Sequence, residues 1–242
     1  GEGKTEAAAA ACELIAASTG CSGVTFAMPT QGTTDAMYAR VCKWLDAVSP
    51  DLPVSLLHGK AMLNELWRHQ LEQRHLADLH GETDSFGMSD PFGPAEDTYA
   101  LSFTLGRHRG LLAHFLVATV DQVLWAATRT RFVNLRHAGI ANHVVIVDEV
   151  HSYDVHMGVF LDELLRWCAR ADVPVVLMSA TLPPHLRQQL VDAWRQGAGL
   201  PPALSPIPSG YPSILTALSD GQLNESSCAQ FRPDTQVAVS IF

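Results

Sequence analysis

Asp148 and Glu149 stand side by side, directly after the apolar run Val144–Val147 and before Val150 and His151. Adjacent carboxylates repel unless a cation shares them, so the pair suits a divalent metal. Asp148 would hold Mg2+ through water, and Glu149 would orient and deprotonate an attacking water. The plain alternative is an acidic strand-to-loop turn. A second chemically suited group opens the chain, where Gly1-Glu2-Gly3-Lys4-Thr5 runs into an alanine-rich stretch. It matches the last half of the phosphate-binding pattern G-x-x-x-x-G-K-[ST]. Gly1 and Gly3 would let the backbone approach a phosphate, and a helix start would offer unpaired N–H groups to the anion. Lys4 would neutralise the β- and γ-phosphates while the Thr5 hydroxyl ligates Mg2+. G-K-T triplets also occur by chance, so the motif is weak alone.

A third group is Ser179-Ala180-Thr181, at the end of the apolar run Val175–Met178. Its hydroxyls can bond His151 or the carboxylates and so couple the nucleotide site to its surroundings. Thr181, ahead of Pro183, is also a candidate helix N-cap.

These groups need elements that bring them to one edge. Short apolar runs rich in branched residues occur at Val24–Met28, Pro53–Leu57, His114–Ala118, His143–Val147 and Pro174–Met178. Such runs fit strands buried on both faces of a parallel sheet. Between them Thr5–Ser18, Thr33–Val48, Lys60–Leu79, Val120–Thr130, His156–Arg170 and Pro184–Gln196 read as helices. The alternation predicts βαβ units, hence a P-loop-type α/β domain with a mostly parallel sheet and helices on both faces. Gly81–Thr98 reads as a surface loop, and the proline- and glycine-containing Gly197–Gly210 as the closing stretch. In the tail, Thr235–Phe242 alternates like a strand leaving for another domain. Phosphate, metal and coupling groups then follow one another on a single sheet edge, which indicates an ATPase using ATP and Mg2+.

Composition narrows the partners. The chain has 242 residues, 47% of them hydrophobic, and a net charge of -9. Bulk electrostatics therefore cannot grip nucleic acid; a local patch or a second domain must. Cys12, Cys21, Cys42, Cys168 and Cys228 show no C-x-x-C spacing, as expected of reduced packing residues in a cytoplasmic protein. No apolar run reaches the ~18 residues of a membrane helix. Histidines such as His69, His75 and His80 have no Cys or carboxylate to complete a metal site.

The motifs together resemble superfamily 2 helicases, and more closely the CRISPR-associated helicase–nucleases of type I systems. Gly3-Lys4-Thr5-Glu6-Ala7-Ala8 fits that family's G-K-T-E-A-A. Met28-Pro29-Thr30 with Ala36-Met37-Tyr38-Ala39-Arg40-Val41 fits a second segment, and His58-Gly59-Lys60-Ala61 a third. Arg109-Gly110-Leu111-Leu112-Ala113, then Thr119-Val120-Asp121-Gln122, resemble R-G-L-L-A and T-[IV]-D-Q; Ala118 stands where the family usually has glycine. Asp148–Asp154 and Ser179–Pro183 complete the series. The resemblance covers roughly residues 1–215 and implies the first RecA-like domain, begun inside its own phosphate loop. It implies that residues 216–242 lead toward a second RecA-like domain acting in cis. The family's HD nuclease and adenine-reading segment would precede Gly1. Implied partners are single-stranded DNA and the CRISPR surveillance complex Cascade, reached through the full-length protein in a prokaryotic cytoplasm.

In superfamily 2 proteins the single strand crosses the sheet edge away from ATP. Pro29, Thr30, Gln31, Thr119, Asp121 and Gln122 occupy matching positions and suit sugar-phosphate contacts that ignore sequence. Thr119 to Gln122 equally fits a helix capping box. Arg40, Arg107 and Arg109 are candidate supporting cations. Two other readings stay open: an RNA helicase or restriction-type translocase of the same superfamily, and a nucleotide- or partner-binding fragment without turnover. In each case the isolated chain is expected to turn over little ATP, because the transition-state cations of a second domain are not in it.

Overall fold

Alternating apolar residues hold as parallel strands only where both faces are covered, and four of the five strands here are buried along their whole length. The computed structural model describes residues 4–48, 52, 54–71, 109–128, 133–204, 207 and 213–227. In it β1 (Gly23–Met28), β2 (Val54–Leu57), β3 (Phe115–Thr119), β4 (His143–Val147) and β5 (Val175–Leu177) form one sheet, in the order β2-β3-β1-β4-β5. Every pairing in it is parallel. The strands begin and end within a residue or two of the apolar runs that predict them. The β5 run is the shortest, and its three residues are only half-buried, unlike those of β2 at the other edge.

Helices cover both faces, as predicted. On one lie α1 (Lys4–Thr19) and α2 (Gln31–Val48), which bury Ala8, Cys12, Met37, Tyr38 and Leu45 against Val24, Phe26, Val144 and Ile146. On the other lie α3 (Val120–Leu124), α4 (Val133–Ile140), α5 (Val155–Arg170) and α6 (Pro184–Gly197). There Leu161, Leu164, Leu165 and Cys168 of α5 meet Ala27, Val145, Val147 and Leu190. Their spacing is the i, i+3, i+4, i+7 of one helix face, and each leucine so buried contributes about 1.5–3 kcal/mol. Odd and even residues of β1 and β4 thus serve different cores, the period of two that a strand imposes.

This topology fixes where ligands can sit. From β1 the chain crosses to β2 on one side; from β4 it continues to β5 on the other. Such a reversal opens a crevice beyond the carboxyl ends of the strands. Helix α1 packs antiparallel to the strands and ends just before β1. Its 16 residues span about 24 Å, slightly more than a six-residue strand at about 20 Å, so Lys4 and Thr5 return to the carboxyl edge.

Several expectations need correction. The helix expected over Lys60–Leu79 starts later: a 3-10 turn at Ala61–Leu63 comes first, then helical residues 65–71. Asn64 interrupts it by capping, its Oδ1 accepting the Trp67 N–H at 3.0 Å. The helix expected over Val120–Thr130 divides into α3 and a 3-10 turn at Trp125–Ala127. Helix α4 was not anticipated; a Cβ at its Gly139 would lie 2.0 Å from the Leu111 carbonyl oxygen, so only glycine permits that contact. Nor was the antiparallel hairpin of β6 (Ser213–Ala217) and β7 (Leu223–Ser227). It is held by α6: Arg195 donates to the Gly221 carbonyl at 2.8 Å and to the Pro201 carbonyl at 2.7 Å. Arg187 also pairs with Glu225 at 3.2 Å. The expected loop Gly81–Thr98, residues 72–79, Cys228 and the expected strand Thr235–Phe242 lie outside the described residues.

Candidate functional site

The carboxyl end of β4 carries Asp148 and Glu149 into a tightly held turn. Glu149 has φ 50° and ψ 44°, left-handed backbone that costs a residue with a side chain about 1–3 kcal/mol. The next residues offset this. The Glu149 carbonyl accepts both the Ser152 N–H and the Ser152 hydroxyl at 2.8 Å. The Tyr153 hydroxyl donates to the Asp148 carbonyl at 2.8 Å, and the Glu149 N–H donates to Asp148 Oδ1 at 2.8 Å. Val150 N–H is taken by the Met178 carbonyl beside it at 3.0 Å. Asp154 then caps α5, accepting the Met157 N–H at 2.7 Å. The stretch Asp148–Asp154 is thus one local device that turns strand into helix and aims two carboxylates off the edge. Ser152 and Tyr153 belong to it, although their types alone gave no sign of a role. Burial, then the charges of Asp148, Asp121 and Glu149, raise the Tyr153 pKa, so the phenol stays a donor.

His151 joins this turn to the neighbouring strand tip. Its Nδ1 lies 3.1 Å from Glu149 Oε2 and 3.2 Å from Ser179 Oγ. The Ser179 hydroxyl donates to the Thr181 carbonyl at 2.7 Å, so its lone pairs face the ring and accept a proton on Nδ1, while Glu149 Oε2 stands beside the same nitrogen as an ion-pair partner. Residues 28 positions apart meet because β5 sits next to β4. The expected cap role of Thr181 is not found. α6 is capped from Pro183, whose successor Pro184 needs no N–H partner in the first turn, and Thr181 takes part through its carbonyl alone.

At the phosphate end, Lys4 opens α1 and Thr5 is half-buried in its first turn. Gly1, Gly3 and the Lys4 side chain lie outside the described residues. Chemically, a helix N-terminus and two carboxylates on one carboxyl edge fit a nucleotide triphosphate with its magnesium: anion at the amides, cation between the charges.

The other expected contacts gather on the tips of β1 and β3, which are paired to the end, Met28 opposite Thr119. Thr30 caps α2 reciprocally with Thr33: each N–H donates to the other's hydroxyl, at 3.2 and 3.1 Å. Pro29 is half-buried and Gln31 exposed. Thr119 is buried and precedes α3, but its hydroxyl makes no capping bond, so the expected capping box is absent. Asp121 is exposed. Gln122 is engaged from below by buried Arg136, whose Nη1 donates to the Gln122 carbonyl at 2.5 Å and Nη2 to Oε1 at 3.4 Å. Arg136 also stacks over Trp125, 5.1 Å from the ring centre, and burial lowers its pKa. Sequence gave no hint of Arg136, because both partners lie on another element. Of the candidate cations, Arg40 is exposed on α2, whereas Arg107 and the Arg109 side chain lie outside the described residues.

Fold and edge together are those of a helicase-type ATPase domain, and the known proteins it matches agree. No protein-family model matches the chain. The CRISPR-associated nuclease/helicase Cas3 of Streptococcus thermophilus is 35% identical over 204 residues, 83% of this chain and 21% of that protein. Cas3 of Thermus thermophilus is 36% identical over 196 residues, 80% of this chain and 20% of that protein. Among solved structures, T. fusca Cas3 with AMPPNP superposes with a TM-score of 0.74 at 36% identity, over 93% of this chain and 24% of that one. A CRISPR RNA-guided surveillance complex in its pre-nicking state contains a chain matching at TM-score 0.63 and 32% identity, over 96% of this chain and 22% of that one. The chain belongs to the Cas3 nuclease/helicase family and spans about a fifth of the length of the curated relatives it matches.

Proposed function

We propose that this chain is the ATP-binding half of a motor that moves along single-stranded DNA in CRISPR interference. One observation carries the reading: Nδ1 of His151 hydrogen-bonds Ser179 and lies 3.1 Å from Glu149 Oε2, an ion-pair distance. A shift of the carboxylate that handles the attacking water is thereby felt at the next strand tip, which is what a motor requires and a passive nucleotide store does not. In this reading Lys4, with Gly1 and Gly3, holds the phosphates, Thr5 and Asp148 hold Mg2+, and Glu149 is the base. His151, Ser179 and Thr181 couple. When bound, the metal supplies charge neutralisation between the phosphates; the chain's residues place it and prepare the water.

Pro29, Thr30, Gln31, Thr119, Asp121 and Gln122 follow the DNA backbone. A second RecA-like domain in cis supplies the remaining cations, and a Cascade-type surveillance complex recruits the whole protein. The relatives' names and the nucleotide in the T. fusca structure support this reading.

The test uses the full-length protein. Single-stranded DNA is expected to stimulate ATP turnover, and Asp148→Ala to abolish that stimulated turnover. Stimulation by RNA with indifference to DNA overturns the substrate. Robust hydrolysis by the 242-residue piece alone overturns the need for a second domain.

A further inference from the structure

Arg136 is buried in a way that stability does not explain. It lies on α4 and is 5% exposed, yet no carboxylate among the described residues is within ion-pair distance of it. Its Nε has no hydrogen-bond partner among them either. A buried guanidinium in that state opposes folding on both counts, so an arginine here calls for a use other than packing.

What it grips is one short element. α3 has five residues, too few to be helical alone. Arg136 holds it at two points one turn apart. Nη1 and Nη2 donate to the carbonyl and to Oε1 of Gln122, and the guanidinium lies over the ring of Trp125, just past the helix end. α4 is anchored in turn. His137, beside Arg136, hydrogen-bonds the Ala126 carbonyl through Nε2 at 2.7 Å. Gly139, on the buried face with Arg136 and Ile140, meets the Leu111 carbonyl where a Cβ has no room.

The chemistry of the grip decides how Gln122 is presented. A guanidinium has donors only, so it can take only the oxygen of the side-chain amide. The amide nitrogen keeps its two N–H groups for other partners, and it makes no hydrogen bond among the described residues. A DNA backbone, built of phosphate and deoxyribose oxygens, offers acceptors and no N–H or O–H. An amide free to turn over would offer it the wrong end part of the time.

We infer that Arg136 is a positioning residue: from beneath α3 it fixes the Gln122 amide with its N–H groups toward bound single-stranded DNA, without touching the DNA itself. This rests on the proposed place of Gln122 on the DNA path, and adds the group that sets which way its amide faces.

The test follows ATP turnover of the full-length protein against the concentration of a thymidine oligonucleotide. Arg136→Met keeps an apolar stem and removes every donor. It is expected to raise the concentration giving half-maximal stimulation about two- to tenfold, the worth of one hydrogen bond, with a smaller change in the maximal rate. Adding Gln122→Ala should then move that concentration little further, since both act through one amide. Gln122→Glu separates the two roles. It gives Arg136 a carboxylate partner, so hydrogen-exchange protection of α3 and α4 should hold or rise. It also removes the donors, so the half-stimulating concentration should rise at least as far as for Gln122→Ala. If Arg136→Met does not fold, Arg136→Lys, which keeps the charge without the two-armed grip, enters the same cycle. A fall in the maximal rate alone marks lost folded protein and overturns the positioning role. So does full additivity with Gln122→Ala, or a rise for Gln122→Ala that Arg136→Met does not share. Lost protection in Gln122→Glu shows that the guanidinium does not face the amide oxygen, and overturns it as well. If neither Arg136→Met nor Gln122→Ala moves the concentration, Gln122 is off the DNA path, and the reading beneath the inference falls with it.

Discussion

Strands β1 and β4 begin and end in opposite physical states. At their amino ends everything is sealed. His143 is 5% exposed, hydrogen-bonded through Nδ1 to Thr25 Oγ1 at 2.8 Å, and lies so close over Gly23 that a Cβ there would be 2.3 Å from the ring. Burial, and secondarily the charge of His114, lowers its pKa to about 4. At the carboxyl ends Asp148 and Glu149 are half-exposed, and the Glu149 backbone is bent into left-handed conformation. Four apolar strand residues, Val144–Val147, separate His143 from Asp148. The lesson is a division of labour: the buried middle and amino end supply stability, which lets the carboxyl end hold charge and strain that would not persist alone.

That contrast can be broken from several sides. The largest loss should come from the shared middle. Ile146→Ala removes a side chain with no exposed surface and should cost about 2–5 kcal/mol. Leu177→Ala on the half-buried edge strand should fall at or below the bottom of that range. Hydrogen exchange of the β1 and β4 amides reads both within a larger protein; equal losses would refute the idea that the edge strand adds little.

The amino end should be sensitive to acid. His143 has a folded pKa of about 4 against an ordinary 6.5, so between these values the unfolded chain takes up a proton that the folded one refuses. Its stabilising effect is complete above pH 6.5 and is lost as pH falls toward 4, at about 1.4 kcal/mol per pH unit. Between pH 6.5 and 5, before most carboxylates titrate, β1 and β4 protection should drop by roughly 2 kcal/mol. A His143→Gln variant should lose that slope.

The smallest effect belongs to the carboxyl end. Ser179→Ala deletes two exposed hydrogen bonds, to His151 and to the Thr181 carbonyl, each worth about 0.5–1.5 kcal/mol, and should cost less stability than the Ile146 change. It should lower the ratio of DNA-stimulated to unstimulated ATP turnover. A loss of stability comparable to Ile146→Ala, with the ratio intact, would mean the two ends do not differ as described.

The strands were legible because burial on both faces leaves a run of branched residues that little else produces. His143–Val147 matches β4 end to end, and the edge run Pro174–Met178 shrinks most. The carboxylates, His151 and Ser179 were legible because local types and strand-tip positions announce them. What escaped depends on distant partners. Arg136 looks like any helical arginine until Gln122 and Trp125 are placed against it. The β6–β7 hairpin has weak alternation and is secured by Arg195 and Arg187 of α6. Thr119 and Thr181 were read as caps from local pattern, and burial in one case and two prolines in the other decided otherwise.

The Tyr153 phenol carries a further consequence. It is tied to the Asp148 carbonyl at one tip and feels the charges of both Asp148 and Asp121, the latter on the turn after β3. A shift of the Asp148 turn therefore moves the ring as well, and with it the balance of charge that the phenol feels from Asp121.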